Sequence, residues 1–480
     1  MNVASEWFAR GMSLLRNPQQ ASPAEEASAA TRPLAQRLKS TLRRGAEPNP
    51  PHVLRKLLED LRATANERVS EVEGARHAKE VMAWYATATA AQRQDLWQML
   101  CELFGPDAKR LDAALVQCEK AQSPSEQAQA EIALRRALVS ERTRVLQRFS
   151  VPEGGMRFLV DLRAELLALT KADKRFLLLD AELESLFATW FDMAFLELRR
   201  LSWDSPASLL EKLIQYEAVH DIRSWADLKN RLDCDRRCYG FFHPKLPNEP
   251  LIFVEVALLD HMAAGITPLL DEHAAPEDLA KATTAIFYSI SNTQTGLRGV
   301  SFGNSLIKHV VETLLAEFPK LKHFATLSPI PGLRSWLLKQ GDKLLAQWDD
   351  KRHQEVAKAL KTQAPVKMAE LVAAAEQGGA QWKEGSVLRN AVSWCAAQYL
   401  GRELKEGRPL DPVARFHLGN GARVERLNWG GDPSNKGMKQ SLGLMVNYLY
   451  DLKRLDKHRA LLADGKLPLS AEMEALCKSK

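Results

Sequence analysis

Two short segments of this chain hold side chains whose type and setting suit chemistry. In Thr326 to Gly332, TLSPIPG, Ser328 stands just before a Pro-Ile-Pro-Gly turn whose two prolines fix the path of the exiting chain. Read from this segment alone, Ser328 more simply caps the turn; the other reading is a hydroxyl presented to a reacting group. In Phe416 to Ala422, FHLGNGA, His417 precedes a glycine-rich turn. Histidine titrates near neutrality and suits proton transfer, but one histidine among eleven, unmarked by spacing, is more often packed than catalytic. A third segment, Arg298-Gly299-Val300-Ser301-Phe302-Gly303-Asn304, carries small residues between an apolar run and an amphipathic one. Backbone N–H groups at the start of a helix there would attract an anion; the alternative is a tight strand-to-helix turn. Lys436 and Lys439 lie in GGDPSNKGMK, either near such an anion or as solvated lysines. H-E-x-x-H is absent, and the three-glycine dinucleotide spacing does not fit.

Elements of definite type must position these residues. EPLIFVEVALL (Glu249 to Leu259) and TAIFYSIS (Thr284 to Ser291) are compact, β-branched and aromatic runs that read as buried strands. FGNSLIKHVVETLLAEF (Phe302 to Phe318) puts Leu306, Val310, Leu314 and Phe318 on one helical stripe, and HFATLSPI (His323 to Ile330) returns as a strand. Strand, loop, helix, strand is a parallel crossover, with the loop on the sheet edge where ligands usually bind. Residues 333–405 read as largely helical with a break near Gln377-Gly378-Gly379, and LGLMVNYLYDLK reads as a further helix. Upstream, from about Pro51 to Leu186, Ala, Leu, Glu, Arg and Gln recur at helical spacing with little internal Pro or Gly. The spacing predicts an all-α packing or oligomerisation module. The order expected is thus 1–50 as a flexible, partly helical segment, 51–190 as a helical domain and 191–480 as a catalytic domain, an α+β chain.

Composition narrows the classes. The chain has 480 residues, 45% hydrophobic and 26% charged, enough to bury a large core. Lys and Arg (66) exceed Asp and Glu (60) by 6 and are spread along the chain, so nucleic acid is not the expected partner. The six cysteines are scattered, and Cys234-x3-Cys238 lacks the second pair that zinc requires, so no metal is expected. No apolar run approaches the ~20 residues needed to cross a bilayer. The segment MNVASEWFARGMSLLRN faintly resembles an organelle presequence, against which Glu6 and the missing serine-rich continuation argue. Cytoplasm is the expected location.

Two resemblances go further. The loop from Arg298 resembles the (Arg/Gln)-x-x-Gly-x-(Gly/Ala) motif with which GNAT acyltransferases grip the pyrophosphate of coenzyme A, with Ser301 in place of the first glycine. The run Tyr288 to Leu337, together with DPVARFHLGNGA (Asp411 to Ala422), GLMVNYLYDL (Gly443 to Leu452), Glu217 to Leu232 and Arg236 to Pro244, is similar in consistent order to malonyl-CoA decarboxylases. That resemblance implies an α-helical oligomerisation domain before a GNAT-like mixed α/β acyl-CoA-binding domain with helical insertions, in a homo-oligomer. It implies Ser328 and His417 as the catalytic pair, Ser289 and Tyr450 as further substrate-site residues, and residues 298–304 as the CoA loop. A glutamate that some members carry in that loop aligns with Ser301, so no acid–base role carries over there. The implied reaction converts malonyl-CoA to acetyl-CoA and carbon dioxide through an enolate, with neither metal nor organic cofactor. The same loop and sheet would serve an acyl-CoA-dependent N-acyltransferase, and a non-enzymatic helical scaffold is the reading from another class.

Overall fold

The computed structural model describes residues 32–43, 47–300 and 306–478. They fall into two compact units: the chain up to Gly155 with Arg175–Leu179, and Met156–Lys174 with Asp180 onward.

The first unit is helical: α1 (Leu34–Lys39), α2 (Pro51–Ala65), α3 (Glu71–Thr87), α4 (Ala90–Leu103), α5 (Ala108–Lys120), α6 (Pro124–Ala137) and α7 (Glu141–Phe149). The sequence marks where these helices begin. Thr89 with Gln92 and Ser123 with Glu126 form reciprocal capping boxes, the second with Pro124 at the first helical position, and Asp107 and Ser140 cap α5 and α7. Leu54, Leu61, Leu96 and Trp97 are buried on the apolar stripes. Among them Arg37 is paired with Asp95 at 2.6 Å, and Asn49 donates to the same carboxylate at 2.8 Å, so the buried charges are compensated.

Two further helices follow, α8 (Gly155–Ala172) and α9 (Leu177–Trp190). Then come β1 (Glu197–Leu201), α10 (Ala207–Tyr216), α11 (Trp225–Arg231), β2 (Arg236–Phe242), β3 (Ile252–Leu259), β4 (Thr284–Asn292), α12 (Leu306–Glu317), β5 (His323–Thr326) and β6 (Ser328–Pro329). A helical stretch, α13 (Leu333–Leu345), α14 (Asp350–Leu360), α15 (Met368–Gly378) and α16 (Val387–Arg402), precedes the small hairpin β7 (Leu404–Lys405) and β8 (Arg408–Pro409). The chain closes with α17 (Pro412–Gly419), β9 (Arg423–Asn428), α18 (Asn435–Ser441), β10 (Met445–Leu449), α19 (Leu455–Ala463) and α20 (Ala471–Lys478).

The large sheet runs β1-β2-β3-β4-β5-β10-β6, with β9 also paired to β10. Every pairing is antiparallel except β4 with β5, where Thr284 faces His323 and Phe287 faces Thr326. That pair is the crossover expected from the strand–loop–helix–strand order, with α12 as its helix. β2 and β3 are buried at every position, which is why the sequence of β3 reads as a nearly continuous apolar run rather than an alternation.

The run around Gly443 corrects the helical expectation. Met445–Leu449 is strand β10, lying between β5 and β6 and also paired with β9. Val446, Tyr448 and their neighbours are buried on both faces, and a short run that is apolar on both faces has no helical period to read. Two irregularities shape the site. Glu255 pairs with Ser289 and Val256 with Phe287, so Tyr288 is an extra residue, a β-bulge that alters the direction of the neighbouring side chains. After α17 the chain turns at Gly421, whose φ is +88° and where a Cβ would stand 2.8 Å from the Leu455 carbonyl oxygen. Gly421→Ala is therefore expected to lower stability by roughly 2–3 kcal/mol, combining left-handed backbone strain with a backbone clash. Urea unfolding measures this, and an unchanged midpoint would mean that α19 yields freely.

Candidate active site

The site is built where β4, β6, β10 and α17 meet. Asp411 caps α17, its carboxylate accepting from the N–H groups of Val413 and Ala414 at 2.9 Å each, and Pro412 occupies the first turn. This short, well-started helix carries His417 in its last turn. Ser328 opens β6 opposite Val446 of β10, so the residue before the Pro-Ile-Pro turn is fixed by sheet pairing on one side. Both side chains are buried.

Ser328 Oγ lies 3.3 Å from His417 Nε2 and donates to Thr326 Oγ1 at 2.8 Å. His417 Nδ1 lies 2.7 Å from the Tyr450 hydroxyl, and its ring stacks on Tyr448 with centroids 4.7 Å apart. These contacts fix the imidazole at both nitrogens and on one face. Thr326 Oγ1 also accepts the Tyr448 N–H at 3.2 Å. A chain from the Tyr450 hydroxyl to Nδ1, from Nε2–H to Ser328 and from Ser328 to Thr326 satisfies one tautomer of a neutral ring. Burial holds the His417 imidazole far below its ordinary value, down to about 3, and burial pushes the Tyr450 phenol up. Both groups are uncharged at neutral pH.

Unfolded histidine titrates near 6.5 and His417 near 3, so between these values the unfolded chain binds the extra proton. The stability tied to His417 is present above about pH 6.5 and is lost as pH falls toward 3. In kcat/KM, which reports the free enzyme, no acid limb belonging to His417 is expected between about pH 5.5 and 7. A limb near 6.5 that disappears in His417→Gln would contradict a neutral, buried imidazole.

Ser328 and His417 line a cavity of about 220 Å³ with Ser289, Asn292, Phe287 and Phe416. The bulged strand thus brings Ser289 to the serine–histidine pair. Ser289 Oγ contacts both oxygens of Glu217 at 2.8 Å, and Glu217 also accepts from the N–H groups of Val219 and His220. Tyr450 meets His417 from behind rather than through this lining. Asn292 and Phe416 are shared with a larger groove of about 740 Å³ that presents Arg408, Arg415 and Arg459. Arg298, Gly299 and Val300 border a third hollow of about 330 Å³, also shared with Asn292. Ser301, Phe302, Gly303 and Asn304 lie outside the described residues. Lys436 donates to the carbonyls of Ala218 and Val219 at 2.8 and 2.9 Å and pairs with Asp221; it holds the 217–221 segment beside the cavity.

Several of these partners were not singled out in the sequence. Asp411-Pro412 carries a readable helix-start signal, whereas Thr326, Glu217 and the three arginines acquire meaning only from their neighbours in space.

A mixed sheet with one parallel pair, bulged at β4 and carrying a buried serine–histidine pair, defines an α+β domain that follows a helical region in the chain. Residues 104–191 match the family model for the malonyl-CoA decarboxylase N-terminal domain, and residues 194–480 match that for its C-terminal domain. The mitochondrial malonyl-CoA decarboxylase of Anser anser anser is 37% identical over 395 residues, covering 79% of this chain and 78% of that protein. The Rattus norvegicus enzyme is 37% identical over 382 residues, covering 76% and 77%. The crystal structure of the malonyl-CoA decarboxylase of Rhodopseudomonas palustris is 40% identical, covers 89% of this chain and 99% of its own, and superposes with a TM-score of 0.76. The chain belongs to the malonyl-CoA decarboxylase family and is a decarboxylase.

Proposed function

We propose that this protein converts malonyl-CoA to acetyl-CoA and carbon dioxide, with Ser328 and His417 at the reacting acyl group and no metal or organic cofactor. The observation that carries this reading is the buried 3.3 Å Ser328–His417 contact lining a cavity that shares Asn292 and Phe416 with an arginine-bearing groove. The cavity suits a malonyl group, and Arg408, Arg415 and Arg459 suit the phosphates of coenzyme A.

Breaking the bond to the carboxyl carbon releases carbon dioxide and leaves its electron pair on the methylene carbon and thioester oxygen, an enolate. In this reading the Nε2–H of His417 bonds the thioester oxygen as charge develops there, and Ser328 orients the departing carboxylate. A preorganised donor at such an oxygen typically contributes about 3 kcal/mol. His417 then passes its Nε2 proton to the methylene carbon, completing the methyl group of acetyl-CoA, and the imidazolate left behind, bonded at Nδ1 by the Tyr450 hydroxyl, regains a proton from solvent. Tyr450, bonded to Nδ1, holds the tautomer that turns Nε2–H toward the substrate. The proposal extends to a homo-oligomer acting in the cytoplasm. Among the described residues no helix is long and apolar enough to cross a membrane, and the N-terminal residues that bear on targeting lie outside them.

The test supplies purified protein with malonyl-CoA, without metal or acyl acceptor, and follows acetyl-CoA and carbon dioxide, with Ser328→Ala alongside. Turnover in the wild type that collapses in the variant is the expected result. A folded wild type that yields acetyl-CoA only when an amine is added would overturn it in favour of acyl transfer.

A further inference from the structure

Arg163, on α8, is among the most deeply buried charges of the second unit, at 1% exposure. Its Nε donates to Asp180 at 2.8 Å and its Nη2 to Glu184 at 3.1 Å, both carboxylates on α9. The remaining nitrogen, Nη1, donates to two backbone carbonyls, those of Gly296 and Arg298, at 2.9 Å each. One guanidinium therefore uses two helix carboxylates as a base and holds two alternate peptides of the strand-to-helix connection in one orientation. Arginine's planar fork fits this task, whereas lysine's single nitrogen does not span it.

The approach is close on the same face. One helical turn before Arg163, the carbonyl oxygen of Val160 would stand 1.9 Å from a Cβ on Gly296, so the loop lies directly on α8. In a planar trans peptide the N–H points opposite the C=O. Fixing the Arg298 carbonyl toward Arg163 therefore turns the Gly299 N–H away from α8. Arg298 and Gly299 are also the residues that border the 330 Å³ hollow adjoining Asn292 of the reactive cavity. The arginine and its two carboxylates fall within the stretch matched by the N-terminal family model, and the loop within that matched by the C-terminal one.

We propose that Arg163 is a positioning residue for coenzyme A. By holding the 298 carbonyl it aims the Gly299 N–H, and with the 296 carbonyl it fixes the backbone that carries the Arg298 side chain, for the pyrophosphate-bearing end of the thioester, without touching the acyl group. This rests on the CoA-ester reading above. Losing the contact weakens the grip on phosphates while the serine–histidine chemistry stays intact.

The experiment compares malonyl-CoA with malonyl-pantetheine, which lacks the phosphates, on wild type, Arg163→Lys and Arg163→Met. For malonyl-CoA, KM is expected to rise roughly tenfold to a hundredfold in the methionine variant and less in the lysine variant, with kcat within about twofold. For malonyl-pantetheine, kcat/KM is expected to stay at the wild-type value in the lysine variant, which keeps the charge that Asp180 and Glu184 need. Equal losses on both esters in both variants, including complete loss, would make Arg163 a residue of the fold and overturn the inference; so would an unchanged KM for malonyl-CoA. A wild type inactive on both esters would instead sink the decarboxylase reading.

Discussion

Replacing His417 with alanine is expected to lower kcat for malonyl-CoA about a hundred- to ten-thousand-fold, the usual span for losing a positioned proton donor. The substitution removes a buried ring held by the Tyr450 hydroxyl at 2.7 Å, by Ser328 at 3.3 Å and by the face of Tyr448. None of these neighbours can reach into the space it leaves with a donor of the same direction. Because the ring is neutral in the free protein, its loss removes a donor aimed at the thioester oxygen and little ground-state attraction for the anionic substrate. KM should then change far less than kcat. His417→Gln, which keeps one N–H donor, should recover part of the loss. Steady-state release of carbon dioxide at saturating malonyl-CoA decides the matter, and near-wild-type turnover of folded His417→Ala would remove histidine from the mechanism.

The second large effect is on stability. Arg231 is completely buried; it bonds Asp227 through Nε at 2.7 Å and Glu255 through Nη1 at 3.1 Å. Removing one member of a buried ion group leaves the others uncompensated, at a typical cost of 3–5 kcal/mol. Arg231→Met fills similar volume without the charge and is expected to lose stability in about that range. The loss should depend on pH in a definite direction. Burial, then the neighbouring Glu217 carboxylate, pushes the Glu255 carboxyl up to about 8 from an ordinary 4.5. A raised carboxyl binds its proton more tightly in the folded state, so the stability it contributes is present below about pH 4.5 and is lost as pH rises through 8. Without Arg231 the folded carboxyl rises further, and the variant should fall behind the wild type more steeply at pH 8.5 than at pH 6. Urea midpoints at the two pH values test this; an equal deficit at both would show that Glu255 does not carry the effect. The consequence reaches the site, because Glu255 pairs with Ser289 across β3 and β4.

Much of this molecule was legible as one-dimensional pattern. The capping boxes at Thr89 and Ser123, the apolar stripe of α12 and the buried runs of β3 and β4 are local: neighbours in sequence supply their partners, so the residues themselves fix element type. The parallel crossover follows from their order. The serine and histidine were visible as candidates, and their setting in SPIPG and HLGNG gave the resemblance its content, but no spacing rule joins residues 328 and 417. Only the sheet does so, by laying β6 against β10 while α17, capped by Asp411, brings His417 over the same edge. Met445–Leu449 shows the limit most clearly. Its apolar residues satisfy helix and strand equally, and the choice was made by β5, β6 and β9, which leave a slot that only an extended chain with ladder hydrogen bonds can fill. The sequence by itself determined the local elements and the chemically able side chains. The tertiary structure alone decided which of them meet, that the imidazole is buried and neutral, and that Arg163 holds the carbonyls of Gly296 and Arg298 across more than a hundred residues of chain, because burial and long-range hydrogen bonding exist only once distant segments pack.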